Sequence, residues 1–179
     1  LAATDVGPDW LKATDTDPGV LLASDPDLSD IITRAKAQVN ILVVSFHFGN
    51  EYSPANDRQE KIAHTAIDAG ATIVVGHHPH VMERVEEYNG GIIFYSLGNF
   101  IFDQYFSTAV QQGLTLRLRL SDGNFEVALV PVTSVGTHAQ PRLMEGLERT
   151  EFLENLAKRS DRNLQAGIIN GSLTFPVSL

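Results

Sequence analysis

The 179-residue sequence contains no cysteine, and basic residues are scarce beside acidic ones. Without cysteine the chain forms neither disulfide bonds nor thiolate metal sites, and it offers no cysteine nucleophile. Lys and Arg total 13 against 22 Asp and Glu, a net charge of −9, which disfavours a protein that neutralises nucleic-acid phosphates. No apolar run approaches the roughly 20 residues that span a bilayer. We therefore expect neither a nucleic-acid-binding protein nor a membrane-spanning chain.

The amino-terminal stretch differs from the rest of the sequence. The chain begins with Leu1 rather than methionine, within an apolar segment, LAATDVG, that is typical of the end of a strand. We therefore expect that residues upstream of Leu1 have been removed or are missing, a signal sequence being one candidate. Asp, Thr, Pro and Gly are frequent over residues 1–19, and this composition predicts a loop there.

The segment between residues 28 and 76 predicts a helix followed by a strand, a second helix and a second strand. Apolar residues recur at helical spacing after the SDPD sequence, and ILVVSF (41–46) and ATIVVG (71–76) are β-branched runs typical of strands buried on both faces. Between them, residues 55–69 carry an apolar stripe at helical spacing and end before Gly70. Short connections in this order predict a βαβ unit, with two parallel strands joined by a right-handed crossover.

Two hairpins are predicted in the second half of the chain. VMERVEEY and IIFYS flank an Asn-Gly turn, and LTLRLRL and FEVALVPV flank the turn sequence SDGN. Strict alternation in LTLRLRL predicts that its leucines cover the core while Arg117 and Arg119 face solvent.

The sequence as a whole predicts an α/β fold, a layered sheet with helices followed by β-hairpins. EGLERTEFLENLAKRS predicts a terminal helix, and the residues from Asp161 onward carry little pattern. We divide the chain into residues 1–135, which hold the layered sheet and the hairpins, and residues 136–179, a carboxyl-terminal extension with a helix.

Four of the six histidines lie directly after the two predicted parallel strands, where ligand sites form in open α/β sheets. The first is His47, and the others form the GHHPH sequence. Pro79 favours extended geometry in the residue before it, so that His78 and His80 are expected to project to the same side, with His47 delivered from the neighbouring strand. Three convergent imidazoles can hold a catalytic metal ion, while His77 is expected to point away from the pair, toward substrate or a supporting partner.

Several other polar residues have two interpretations each. Glu51 either aims a carboxylate at the metal site or merely begins the following loop, and Asn99 either serves a tight turn or donates a hydrogen bond to a bound anion or water. His64, on the predicted helix, and His138, in a loop, are expected to be solvated surface residues. Ser96 lacks the glycine-flanked turn of a hydrolase nucleophile.

Three segments in order, SFHFGNEY, AGATIVVGHHPHV and YSLGNFIFD, together resemble the carboxyl-terminal half of bacterial capsule-synthesis proteins of the poly-γ-glutamate (CapA) type. The resemblance runs from about Leu21 to Val132. Those proteins are similar in fold to calcineurin-like metallophosphoesterases, so the resemblance implies a metallo-dependent phosphatase-like fold. It also implies that His47, His78 and His80 are metal ligands.

The resemblance implies a function in capsule or poly-γ-glutamate metabolism, with a cell-envelope or extracellular location. His77, Glu51 and Asn99 are the residues expected to assist a metal-dependent hydrolysis, and the ion would be zinc, manganese or iron. The family's amino-terminal ligands have no counterpart here, so we expect a partial domain whose first half is missing or lies on a companion chain. The substrate would be an anionic polymer or a phosphoester.

Two alternatives to that hydrolase remain open. The chain could belong to a non-catalytic component of a capsule-synthesis complex that binds polymer or serves as a scaffold. It could also belong to a phosphodiesterase or nucleotidase with no link to capsule.

Overall fold

The computed structural model describes residues 1–121 and 123–176, which form two β-sheets and four α-helices. The strands are β1 (Ala2–Thr4), β2 (Val43–His47), β3 (Ile73–His77), β4 (Val85–Tyr88), β5 (Gly91–Phe94), β6 (Gln112–Ser121), β7 (Asn124–Thr133), β8 (Arg142–Leu143) and β9 (Ser172–Pro176). The helices are α1 (Leu28–Lys36), α2 (Asp57–Asp68), α3 (Gly146–Arg159) and α4 (Gln165–Asn170). This architecture confirms the predicted α/β class. Over the described ranges, no helix combines the length and apolar character needed to cross a bilayer.

The first sheet has five strands in the order β1-β2-β3-β5-β4. Strands β1, β2, β3 and β5 run parallel, and β4 runs antiparallel to β5. Val43 lies opposite Ile73 and His47 lies opposite His77, so the predicted pair of adjacent parallel strands is confirmed. Ala2–Thr4 pair with β2, which confirms that the LAATDVG segment contains the end of a strand, while the loop predicted over residues 1–19 is wrong for these three residues.

Helix α2 connects β2 to β3 and begins at a capping box. The Asn56 side chain accepts hydrogen bonds from the backbone N–H groups of Arg58 and Gln59, and the Gln59 side chain accepts from the Asn56 backbone. These bonds satisfy N–H groups that have no partner within the helix. Gly70, at a φ of +106°, ends the helix in a conformation that glycine adopts without strain. Local sequence thus fixes both ends of the crossover helix.

The second sheet is antiparallel and centres on β7, which pairs with β6 along one edge and with β8 and β9 along the other. Both predicted hairpins, β4–β5 and β6–β7, are confirmed, although Asp122 of the second turn lies outside the described residues. The first hairpin turns at Asn89 and Gly90, whose φ values are 45° and 78°, as a type I′ turn requires. The helix predicted to be terminal, α3, is followed by α4 and β9, which the sequence pattern did not reveal.

Hydrophobic clusters cover both faces of the first sheet. On one face α1 and α2 pack against β2 and β3 through buried residues that include Ile32, Phe46, Ala66 and Val74. On the other face β6, β7, α3 and α4 pack against the sheet through residues that include Ile73, Phe94, Val127, Leu153 and Ile168. Burial on both faces explains why β2 and β3 are almost continuously apolar.

The alternation in β6 holds for the arginines and only partly for the leucines. Arg117 and Arg119 are exposed, as predicted, and Leu114 is buried, with 4% of its surface accessible. Leu118 and Leu120 are 40% and 50% exposed, so the prediction that the whole leucine face covers the core is wrong. Alternation assigns residues to a face, but only tertiary packing determines how far along the strand that face is covered.

Aspartate substitutions in β6 are expected to have unequal effects along the strand. Leu114→Asp should lower the free energy of unfolding by about 4 kcal/mol, because it buries an unpaired carboxyl group and removes core packing. Leu118→Asp should lower it by less than about 1 kcal/mol, because the new carboxylate reaches water. Urea denaturation of the two variants measures both values. Equal losses in the two variants would show that the distal leucines are covered in solution.

Candidate metal centre

The carboxyl ends of β2 and β3 bring the histidine motifs to one edge of the first sheet. His47 is the last residue of β2 and His77 the last of β3, and the two lie opposite each other in the parallel register. Both side chains are exposed. The strand-end positions inferred from the sequence are therefore adjacent in the structure.

Three residues beyond these strand ends form a compact group of possible metal ligands. Glu51, His78 and His80 each offer a ligand atom, and these atoms lie within 4.8 Å of one another. Nε2 of His80 is 3.8 Å from Oε1 of Glu51. The His47 ring lies beside this group, with its centroid 4.7 Å from that of His78. Two imidazoles and a carboxylate fit a divalent transition metal such as zinc, manganese or iron.

The GHHPH segment reaches this arrangement by a bend rather than by the expected extended geometry. His78 and His80 have φ values of 101° and 59°, so the prediction that alternation along an extended chain aligns them is wrong. The backbone turns immediately after β3, and the Pro79 carbonyl accepts a hydrogen bond from the Tyr52 backbone N–H at 2.8 Å. Positive φ in a non-glycine residue costs of order 1–3 kcal/mol, and such residues cluster at functional sites.

Asn99 fixes the orientation of the His80 ring. Nδ1 of His80 is 2.8 Å from Oδ1 of Asn99, and the Asn99 amide group donates to the Val110 carbonyl at 2.9 Å. Because Oδ1 can only accept, Nδ1 of His80 carries the proton in this arrangement, which leaves Nε2 free to bind a ligand. The sequence allowed two interpretations of Asn99, a tight turn or a hydrogen bond to a bound anion or water. In the structure its side chain does form hydrogen bonds, and its partners are the protein groups His80 and Val110.

Aromatic side chains that no sequence motif had marked as functional surround His80. The Tyr52 ring stacks against His80 at a centroid distance of 5.9 Å, and Phe102 lies 4.7 Å from it. Gln104 donates a hydrogen bond to the Tyr52 hydroxyl at 2.6 Å. The density of aromatic residues in FIFDQYF (residues 100–106), directly after Asn99, was the available sequence signal for Phe102.

The surroundings of His47 favour its neutral form. Partial desolvation lowers the pKa of His47, and the neighbouring His78, His77 and His80 lower it further. A neutral imidazole has the lone pair that a metal ion requires.

The two remaining histidines lie outside the cluster. His138 is exposed in its loop, as predicted. His64 is not simply solvated, because its Nε2 lies 2.9 Å from Oε1 of Glu86 and its ring stacks on Tyr88 at 3.7 Å. Glu86 also accepts hydrogen bonds from Tyr95 and Arg84. Its acidic partner lies on β4, so the prediction of a solvated surface residue is wrong for His64.

Known proteins are similar to this chain over most of its length. Residues 3–104 match the family described as bacterial capsule synthesis protein PGA_cap. The chain is 37% identical over 178 residues to the PGA biosynthesis protein CapA of Bacillus subtilis, covering 99% of this chain and 46% of the relative. It is 34% identical to the capsule biosynthesis protein CapA of Bacillus anthracis, covering 84% and 38%. A probable polyglutamine synthesis accessory protein of Mycobacterium tuberculosis is 32% identical, covering 89% and 45%.

The chain thus spans less than half the length of these curated relatives. The family match covers more than half of the chain and includes the strand ends and the histidine motifs. The chain belongs to the bacterial capsule synthesis protein family PGA_cap.

Proposed function

We propose that this chain is part of a metal-dependent hydrolase that acts in capsule or poly-γ-glutamate metabolism. Glu51, His78 and His80 hold the divalent ion, and His47 lies beside them as a further ligand. The observation that carries the proposal is the convergence of the three ligand atoms within 4.8 Å, on a backbone held at positive φ at both histidines. The names of the two CapA relatives support the link to capsule polymer.

Each residue has a distinct task in this proposal. When bound, a divalent ion supplies Lewis-acid polarisation of the scissile group. Asn99 holds Nδ1 of His80 and so keeps Nε2 directed toward the ligand position. His77, exposed at the end of β3, is the candidate for proton transfer at the edge of the cluster.

The relatives are more than twice as long as this chain, and the amino-terminal ligands that the family resemblance implies have no counterpart in it. We propose that the longer protein supplies further ligands from its amino-terminal half. The chain alone should then bind divalent transition metals weakly and show little or no turnover, because hydrolysis needs the complete ligand set.

Removal of a cluster histidine is expected to reduce metal affinity. His78→Ala or His80→Ala in the 179-residue chain should weaken Zn²⁺ binding at least tenfold, because each removes one of few ligands. Titration calorimetry with Zn²⁺ measures the affinity, and His138→Ala is the matched control because that imidazole is exposed in a loop outside the cluster. An unchanged affinity in the His80 variant would contradict the proposed ligand set.

Loss of the Asn99 side chain is expected to act through His80. Asn99→Ala should weaken Zn²⁺ binding by about tenfold, because groups that orient a ligating imidazole commonly contribute that much. Asn99→Asp should restore affinity, since a carboxylate also accepts from Nδ1 of His80. The same calorimetric titration checks both variants, and equal losses in the two would show that orientation of His80 is not the cause.

The substrate question requires the intact protein. Poly-γ-glutamate and a panel of phosphomonoesters and phosphodiesters, offered to the metal-loaded longer protein, separate a polymer hydrolase from a phosphoesterase unrelated to capsule. The accessory-protein name of the mycobacterial relative favours a second candidate, a non-catalytic component of a polymer-synthesis complex. Absence of turnover with every substrate, together with direct binding of the polymer, would establish that alternative.

A further inference from the structure

A cavity of about 250 Å³ lies on the second sheet and shares no residue with the candidate metal centre. It opens over residues 128–131 of β7 and is bounded by Arg117 on β6, the segment at residues 143–145, Arg149 on α3 and Gly171. The cavity is smaller than the roughly 300–1,000 Å³ of sites for drug-sized ligands, so it suits one unit of a longer molecule.

The strand register explains how two arginine side chains come to border this cavity. In β7, Ala128 lies opposite Arg117 of β6 on one side and opposite Ser172 of β9 on the other. The small Ala128 side chain leaves space over β7 between Arg117 and Gly171, which directly precedes Ser172. A Cβ added at Gly171 would clash with Nη2 of Arg149, so the glycine makes room for that guanidinium. The Arg149 guanidinium therefore lies at the cavity wall, across Ala128 from Arg117.

The charges around the cavity favour an anionic ligand. Over the described part of the chain, neither the Arg117 nor the Arg149 guanidinium forms an ion pair or a hydrogen bond. Glu145 also lines the cavity, but it acts on Arg142, whose pKa is raised by the hydrogen bond to Glu148 and further by the Glu145 charge. In a chain of net charge −9, two guanidinium groups without acceptors form a local centre of positive charge that suits an oxyanion.

We propose that this cavity binds a carboxylate of poly-γ-glutamate, with the guanidinium groups of Arg117 and Arg149 donating to its oxygens. Each γ-linked unit carries one free carboxylate and two methylene groups. The planar guanidinium groups match the carboxylate, and the apolar side chains of Val130 and Leu143 line the cavity beside them. The choice of polymer rests on the proposed function, whereas the site itself requires no metal ion. It holds one part of the polymer while another part reaches the metal centre.

Three probes test the proposal: an oligomer of three γ-linked glutamates, the same oligomer with its carboxyl groups converted to amides, and inorganic phosphate. Each is titrated into the ¹⁵N-labelled chain at pH 7 in metal-free buffer, so that the metal centre takes no part. The glutamate oligomer should bind at least about tenfold more tightly than either other probe, and the shifted amide signals should include Ala128 and Gly171. Equal affinity of the two oligomers would overturn the proposal, and so would phosphate binding as tight as that of the glutamate oligomer.

Three variants locate the effect within the cavity. Arg117→Gln and Arg149→Gln should each weaken binding of the glutamate oligomer at least about fivefold, because each removes one charged donor. Arg119→Gln is the matched control, since Arg119 is exposed two residues further along β6 and does not line the cavity, and it should change the affinity less than about twofold. Equal losses in the Arg117 and Arg119 variants would reduce the effect to general charge attraction and refute the site.

The Zn²⁺ affinity of the same variants separates this site from the proposed hydrolase. Arg117→Gln should bind Zn²⁺ as the wild type does, because Arg117 lies outside the metal centre. A wild-type chain that binds the glutamate oligomer but no Zn²⁺ would contradict the proposed metal centre and support the arginine site. A chain that binds Zn²⁺ but not the oligomer would do the reverse.

Discussion

Replacing Glu83 with glutamine is expected to stabilise the protein at pH 8 by about 3 kcal/mol and to change its stability little near pH 4. Burial raises the pKa of Glu83 from its ordinary 4.5 to about 7, against the smaller opposing effects of the Gln59 hydrogen bond and of Arg84. The folded state therefore holds this proton more tightly than the unfolded state. As the pH rises from 4.5 through 7, the Glu83 carboxyl group ionises readily in the unfolded state, whereas the buried site of the folded state disfavours the charge. The free energy of unfolding therefore falls over this pH range.

Urea denaturation of the wild type and the Glu83→Gln variant at pH 5 and pH 8 measures this effect. The difference in free energy of unfolding between the variant and the wild type should grow by about 2.5 kcal/mol between pH 5 and pH 8, because the amide of glutamine stays neutral at both pH values. Glu151→Gln is the control, because Glu151 is exposed and its replacement should change stability by no more than about 0.5 kcal/mol at either pH. A pH-independent difference for Glu83→Gln would contradict the burial of a titrating carboxyl group.

Replacing Gly76 with alanine is expected to destabilise the fold by more than about 4 kcal/mol. A Cβ at this position would lie 1.9 Å from the Tyr95 carbonyl oxygen and 2.5 Å from Cε1 of the buried Phe48 ring. Neither neighbour can withdraw, because one is backbone and the other belongs to the packed core. The Leu97 backbone N–H donates to the Gly76 carbonyl, so the close approach also holds the segment that leads to Asn99 next to the histidine bend.

Gly90→Ala separates this steric requirement from the ordinary conformational role of glycine. Gly90 has a φ of +78°, and a methyl group added there would meet no atom within 4 Å, so its replacement should cost only about 1 kcal/mol through left-handed strain. Urea denaturation and the Zn²⁺ affinity of both variants provide the comparison. Equal losses in free energy of unfolding for the two variants would mean that the Tyr95 backbone and the Phe48 ring move aside to accommodate a Cβ at position 76.

Local sequence was sufficient for the elements that carry the cluster. Buried β-branched runs predicted β2 and β3, start and stop signals predicted α2, and Asn89 followed by Gly90 predicted the first hairpin. These signals work because helix ends and tight turns depend on hydrogen bonds and backbone angles within a few residues. The same reasoning placed His47 and the GHHPH segment at one sheet edge, since parallel neighbouring strands end on the same side.

Several features of the site depended on contacts between distant residues. Glu83 lies in a run that the sequence marked only as the beginning of a hairpin strand, yet it is buried and accepts a hydrogen bond from Gln59 on helix α2. His64, expected from its place on a helix to be a solvated surface residue, pairs with Glu86, 22 residues away. Sequence periodicity does not predict such contacts, because they form only when separate helices and strands pack against one another.

The sequence by itself determined the α/β class, the parallel pair β2–β3, both hairpins and the presence of histidines at the strand ends. These properties follow from hydrophobic period and turn chemistry, which act locally. Only the tertiary structure decided that His78 and His80 meet through a bend, that Asn99 orients His80 and that the leucine face of β6 is covered at one end alone. The physical reason is that the conformation of a bend and the burial of a face depend on which surfaces pack against them.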